Sequence, residues 1–221
     1  MLVIDIIGSI DDLIEKYEEL FIAFRDYLSL FYKWISEKSS LKVELSEMVY
    51  KTGKNVKKYE WFNNNVIDLS TMKSNNICIN EFSNGNKFKT NIKTYNGDLL
   101  YGSIRPYFKK AGFSTNAKFV CGTVYSFNSY KPEYFVYLLS VISSDDFHKF
   151  TSQNSKGTKM PVISWKDLIR YKFLCPNDKD LLEFNNKLID LFNLIKSKMI
   201  RIKFLKKIKE LFLNHFFKKN D

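Results

Sequence analysis

The chain has 221 residues, 45% of them apolar and including 20 Phe and 13 Tyr, which is enough apolar material for a folded core and sets it apart from disordered chains. A formal charge of +11 points to a polyanionic partner, nucleic acid first and an anionic membrane surface second. Cys78, Cys121 and Cys175 are odd in number and widely spaced, with no Cys-x-x-Cys, which argues against a disulfide framework or a structural zinc site and for a reducing cytoplasm.

Along the chain, Met1–Asp5 lacks a basic region and Asp5 interrupts its apolar run, so no signal peptide is expected there. From Ile7 onward apolar residues recur at steps of three and four. They are Ile10, Leu13, Ile14, Tyr17, Leu20, Phe21, Phe24, Tyr27, Leu28, Phe31, Trp34 and Ile35. With neither Pro nor Gly between Ser9 and Trp34, the spacing predicts a long helix, and Ser9 with Asp12 has the form of a capping box. Ser36–Ser40 reads as a linker, and Leu41–Leu45 alternates like a strand. Asn84-Gly85-Asn86 and Asn96-Gly97-Asp98 are turn signals bounding a strand at Phe88–Tyr95. Strands are expected at Leu99–Ile104 and Lys118–Phe127, then one amphipathic helix over Pro132–Phe150. Tyr134–Ile142, the longest strongly apolar stretch, is too short to span a bilayer. Ser164 with Asp167 would cap a short helix before a strand at Tyr171–Cys175.

The C-terminal segment repeats Leu181, Leu188, Ile195 and Ile202 every seven residues, with Phe184, Leu191, Leu205 and Phe212 as companions and Lys198 as an interruption. That is a coiled-coil seam. Acids dominate the first helix (Asp5, Asp11, Asp12, Glu15, Glu18, Glu19, Asp26), and a basic series from Lys196 to Lys209 lines the last. Opposite flanks beside apolar seams suggest that the two helices pair, within one chain or in a dimer; two solvated faces are the alternative. A shift of 181 residues superimposes Leu13-Ile14 on Leu194-Ile195 and Leu30-Phe31 on Leu211-Phe212, a faint repeat framing a globular middle. The expected architecture is α+β: a helix over 1–36, a globular module over 37–176 and a second helix over 177–221.

Catalytic signatures are missing. The glycines stand apart, with no phosphate-cradling loop, and no Asn-Pro-Pro-aromatic or Asp-Pro-Pro-aromatic motif holds a target base. Pro176-Asn-Asp178-Lys-Asp180 has the look of a nuclease acidic cluster, but acids at a helix start also favour the helix dipole. His148 and His215 lie far apart without ligand-spaced neighbours. No catalytic residue, metal or cofactor is expected, and the chain reads as a binder.

Binding groups concentrate in two stretches. Lys87, Lys89, Lys93, Arg105, Lys109 and Lys110 face a single acid, Asp98, with Phe88, Tyr95, Tyr101, Tyr107 and Phe108 interleaved. Thr151–Lys159 is a polar, Gly-containing segment. Such groups neutralise phosphates and reach base edges, while a solvated face over core aromatics is the plain alternative.

At these residues the sequence resembles the specificity subunits of type I restriction–modification systems. The likeness rests on Val43–Met48 followed by Lys51–Lys54, on Asn96-Gly-Asp98-Leu-Leu-Tyr-Gly-Ser-Ile104-Arg-Pro-Tyr107-Phe-Lys-Lys110, on Ser152–Trp165, and on Cys175-Pro176 leading into a long helix. Gly8–Tyr17 is similar to the start of the family's conserved-region helix. The resemblance implies one target recognition domain between two conserved helices, where usual members carry two such domains. It further implies double-stranded DNA as ligand, methyltransferase subunits and a restriction subunit as partners, and no catalysis by this chain. Two copies, or this chain and another half-subunit, would then pair through Ile10, Ile14, Tyr17, Phe24, Phe31, Leu188, Ile195, Ile202 and Leu205 to read a bipartite site; a truncated relic is the other explanation. Charge and loop position assign Lys87, Lys89, Arg105, Lys109, Lys110, Lys156 and Lys159 to phosphates, and Tyr101, Ser103, Gln153, Asn154 and Thr158 to bases. Arg105 at a strand end is alternatively structural. A coiled-coil scaffold, or a basic helix resting on an anionic membrane, is the rival reading.

Overall fold

The computed structural model describes residues 2–217. Helix α1 (Leu2–Ser36) and helix α6 (Asp178–Phe217) frame a mixed module. They are about 52 and 60 Å long at the α-helical rise. They run antiparallel within one chain, since pairing positions fall along α1 as they rise along α6. Phe31 meets Phe184 with ring centroids 5.1 Å apart, Phe24 meets Phe192 at 6.4 Å, and Asp11 accepts a 2.6 Å hydrogen bond from Lys209.

The seam on α6 is Leu181, Phe184, Leu188, Phe192, Ile195, Met199 and Ile202, all buried. Steps of three and four keep these side chains on one stripe of the helix. Lys198 does not interrupt the stripe: Met199 fills the place, and the Lys198 ammonium lies 5.1 Å from the Tyr17 ring centroid. On α1 the buried side is Ile10, Phe21, Phe24, Leu28, Tyr32 and Ile35, with Tyr17, Leu20 and Phe31 packed at its margin. The expected capping box at Ser9 does not form. Ser9 lies inside α1 and donates to the Asp5 carbonyl at 2.9 Å, because half-buried Val3, Ile6 and Ile7 carry the apolar face upstream. Among the described residues no helix is long and apolar enough to cross a membrane.

In the module, β1 (Leu41–Glu44) and β11 (Lys172–Cys175) pair antiparallel, Leu41 opposite Cys175, which brings the module's two ends together. A four-stranded sheet has the order β2 (Val49–Lys51), β10 (Val124–Ser129), β7 (Leu99–Gly102), β8 (Ala111–Phe113). A five-stranded sheet has the order β3 (Lys54–Asn55), β6 (Asn91–Lys93), β9 (Phe119–Cys121), β4 (Asn65–Ile67), β5 (Ser83–Asn84). The strand expected at Lys118–Phe127 is thus two strands in different sheets, the chain switching at Gly122-Thr123. Of the strand expected at Phe88–Tyr95, only 91–93 is paired.

The helix expected over Pro132–Phe150 breaks into α3 (Phe135–Ser143) and α4 (Asp145–Gln153). Ser144 is extended at the break, and its hydroxyl accepts from the Phe147 amide at 3.2 Å, an N-cap that starts a new helix. Ser164 caps α5 (Trp165–Leu168) as expected, accepting from the Asp167 amide at 3.1 Å. Asp178 and Asp180 occupy the first turn of α6, where acids favour the dipole.

One core joins the helix pair to the module: Phe192 of α6 packs on Phe113 of β8 (5.0 Å) and Phe135 of α3 (5.4 Å). A smaller cluster, around Trp61, Ile67, Leu100 and Val120, draws on both larger sheets. Between them sits a polar hub. Asp98 is buried, and its carboxylate accepts from the Thr52, Thr94 and Ser126 hydroxyls (2.7, 3.1 and 2.8 Å), the Tyr95 amide (2.9 Å) and the Asn128 amide group (3.1 Å). Hydrogen bonds to a carboxylate offset the desolvation of its charge. The left-handed Gly97 (φ 86°) makes the turn that delivers Asp98 inward.

Candidate nucleic-acid interface

The two basic stretches of the sequence meet in part. The chain after β7 leads through Ser103 and Ile104 to Arg105, then a 3-10 turn (Pro106–Phe108), then Lys109 and Lys110. Against this segment lies the loop that leaves α4. Ile163 donates to the Ser103 carbonyl at 3.0 Å, Arg105 donates to the Pro161 carbonyl at 2.7 Å, and Ile104 and Lys156 both bridge to Val162. Gly157 (φ 106°) turns this loop back on itself; a β-carbon there would sit 3.1 Å from the Met160 carbonyl oxygen. Gln153 ends α4 and Asn154 caps it, the Asn154 amide group donating to the Phe150 carbonyl at 2.8 Å. The result is one rim carrying Arg105, Lys109, Lys110, Gln153, Asn154, Lys156, Thr158 and Lys159.

The rim's charge is largely uncompensated. Lys156 and Lys159 are exposed, and among the described residues neither they nor Arg105 and Lys110 form an ion pair. Lys109 does, with Asp145 at 2.7 Å, which holds the Asp145 carboxyl below its ordinary range. The Lys110 ammonium donates to the Leu69 carbonyl, and burial lowers its pKa. Lys87 and Lys89 are exposed elsewhere, at the end of the 3-10 turn (Gly85–Lys87) beyond β5 and just after it, outside the contacts that build the rim.

Two expected base readers are corrected. Tyr101 is fully buried: its hydroxyl meets the Thr151 hydroxyl at 2.7 Å and its ring stacks on His148, so it is core. Ser103 is buried and donates to the Thr123 carbonyl at 2.8 Å. Both lie on or next to β7, which is covered on both faces. His148 is also buried, with Nδ1 unpartnered; burial, aided by Lys109, pushes its pKa down to about 4.

What sequence reasoning missed is the shape of the turn. Arg105 (φ 51°) and Lys109 (φ 52°) are both left-handed, which costs a side chain with a β-carbon about 1–2 kcal/mol each. Held so, they bracket the 3-10 turn and leave Tyr107 and Phe108 exposed beside the cations. Met160 and Val162 stand exposed on the facing loop. Pro106 hints at a turn, but no residue type signals a left-handed Arg or Lys.

The expected partner-helix residues lie in the seam within the chain. Ile10, Phe24, Leu188, Ile195 and Ile202 are buried there, and Ile14, Tyr17, Phe31 and Leu205 are half-buried. The outer side of α6 carries a second stripe, exposed Ile200, Phe204, Ile208 and Leu211.

A helix, a sheet-built α+β module and a returning antiparallel helix match part of the fold of the S subunits of type I restriction–modification systems, as the sequence resemblance implied. The S subunit from M. genitalium aligns over 100% of this chain with a TM-score of 0.58 and 14% identity. The HsdS subunit from Thermoanaerobacter tengcongensis aligns over 79% with a TM-score of 0.51 and 16% identity. At these identities the likeness establishes the fold. The chain spans 59% of the first structure's length and 47% of the second's. No family model matches the sequence, and no curated protein does.

Proposed function

We propose that this chain is a non-catalytic specificity subunit of a type I restriction–modification system, binding double-stranded DNA through the module at 37–176. The observation that carries this reading is the exposed cationic rim on a module framed by an S-subunit helix pair. Arg105, Lys110, Lys156 and Lys159 hold phosphates, with Lys109 joining when Asp145 releases it. Gln153, Asn154 and Thr158 are the polar groups of the rim that reach base edges. Methyltransferase subunits, and through them a restriction subunit, assemble on the helices. The cytoplasm, where the DNA is, is the place of action.

One module reads one half-site, so a bipartite target needs a second module. Because α1 and α6 already bury their seams on each other, a second copy or another half-subunit joins through the outer faces of the pair, not through the seam residues.

Selection of duplexes from random sequence, followed by fluorescence anisotropy, tests the reading. A preferred sequence is expected, with an affinity that falls steeply as salt rises. Replacing Lys156 and Lys159 together by Ala is expected to weaken all duplexes alike and to reduce the slope of log K against log salt by roughly 2. Binding to anionic vesicles with no duplex binding at low salt would overturn it in favour of a membrane-surface role. Light scattering reads the stoichiometry: a strict monomer on a single short half-site would defeat the two-module assembly.

A further inference from the structure

Beside the rim opens a cleft of about 350 Å3. Leu69, Ile104, Phe108 and Met160 supply apolar walls, and Arg105 and Lys110 bring two cations; no carboxylate lines it. Gly102 permits this arrangement, since a β-carbon there would stand 2.6 Å from a Leu69 methyl and 3.2 Å from the Lys110 β-carbon. The Lys110 ammonium sits 5.9 Å from the Phe108 ring centroid. Arg105 keeps Nε buried and unpartnered while its backbone is held left-handed. Strained backbone and an unmatched donor are conditions that folds tolerate where a ligand uses them.

The lining selects its occupant. A free phosphate would gain nothing from four apolar walls. An apolar side chain of a partner protein would engage neither cation and would leave the Arg105 Nε unmatched. A planar ring joined to a phosphate satisfies the two halves at once. We propose that the cleft receives one unstacked nucleotide of the bound duplex, its base against the Phe108–Met160 wall and its phosphate at Arg105 and Lys110. This rests on the DNA-binding reading and adds that the chain by itself opens one step of the duplex, making target choice depend on how readily that step unstacks.

The test uses the full chain, without other subunits, and the selected duplex carrying 2-aminopurine at each position in turn. Several-fold brightening on binding is expected at one position. In the double variant Phe108→Ala, Met160→Ala the brightening is lost and affinity falls roughly tenfold, in line with the loss of one stacked base. Both side chains are exposed, so the thermal midpoint stays unchanged. A mismatch at the bright position strengthens binding, because less pairing is then broken. A duplex that binds but stays dark at every position, or brightening that survives the double variant, would overturn the proposal. Failure to bind any duplex would defeat the DNA reading itself, and this proposal with it.

Discussion

The helix pair and the module are held together in different ways. Between α1 and α6 the same contact recurs: an apolar side chain every three or four residues, each replaceable by another of similar size. Among the described residues the two helices share one ion pair, Asp11 with Lys209, despite their opposite charges. In the module, one residue ties together segments far apart in sequence: Asp98 gathers donors from Thr52, Thr94, Tyr95, Ser126 and Asn128. A repeated seam spreads its stability over many positions, whereas a hub concentrates it in one.

That contrast can be broken by measurement. Replacing Asp98 by Ala strands several buried donors at once and is expected to lower the unfolding free energy by about 4 kcal/mol. A shifted urea midpoint checks it; a loss under 1 kcal/mol would show that the hub is incidental. In the seam, Leu188→Ala or Ile195→Ala is expected to cost about 3 kcal/mol, from lost burial plus the cavity left behind. Leu194→Ala, one position off the seam, is expected to change stability by less than about 0.5 kcal/mol.

Acid sharpens the same comparison from the module's side. His148 has its folded pKa near 4 against 6.5 when unfolded, so the unfolded chain binds the extra proton first as pH falls. Its contribution is complete above pH 6.5 and declines through the window down to pH 4, by about 3 kcal/mol in all. His148→Phe, which keeps a ring on Tyr101 without a titrating nitrogen, should flatten that slope in urea titrations between pH 7 and 4. The smallest effect belongs to the exposed pair: Lys209→Ala is expected to cost no more than about 0.5 kcal/mol, and less at high salt.

The same two regions differ in how readable they were. The heptad residues Leu181, Leu188, Ile195 and Ile202 are all buried, because helical periodicity is a local property of the chain. Phe192 and Met199, each one residue past the companion places at Leu191 and Lys198, complete the α6 seam, so a 3.6-residue period finds them where a strict seven-residue repeat does not. In the module, local signals mislead where distant pairing decides. Tyr101 has the composition of a surface aromatic among lysines, yet β7 lies between β10 and β8 and under α4, and its side chain is core. Lys118–Phe127 has continuous strand propensity, but its halves are claimed by two sheets. Arg105 and Lys109 give no sign of a left-handed backbone, because their backbone groups are held by distant segments, the Arg105 amide by the Pro161 carbonyl and the Lys109 carbonyl by the Asn75 amide, and not by residue type.

By itself the sequence determined the two amphipathic helices, the excess of positive charge and the gathering of lysines in two polar stretches, since periodicity and charge are properties of neighbours along the chain. The tertiary structure alone decided that α1 and α6 pair within one molecule, that the stretches around Arg105 and Lys156 form one rim while Lys87 and Lys89 stay apart, and that a cleft opens beside Phe108. These depend on segments distant in sequence competing for the same partners, and no local preference records the outcome of that competition.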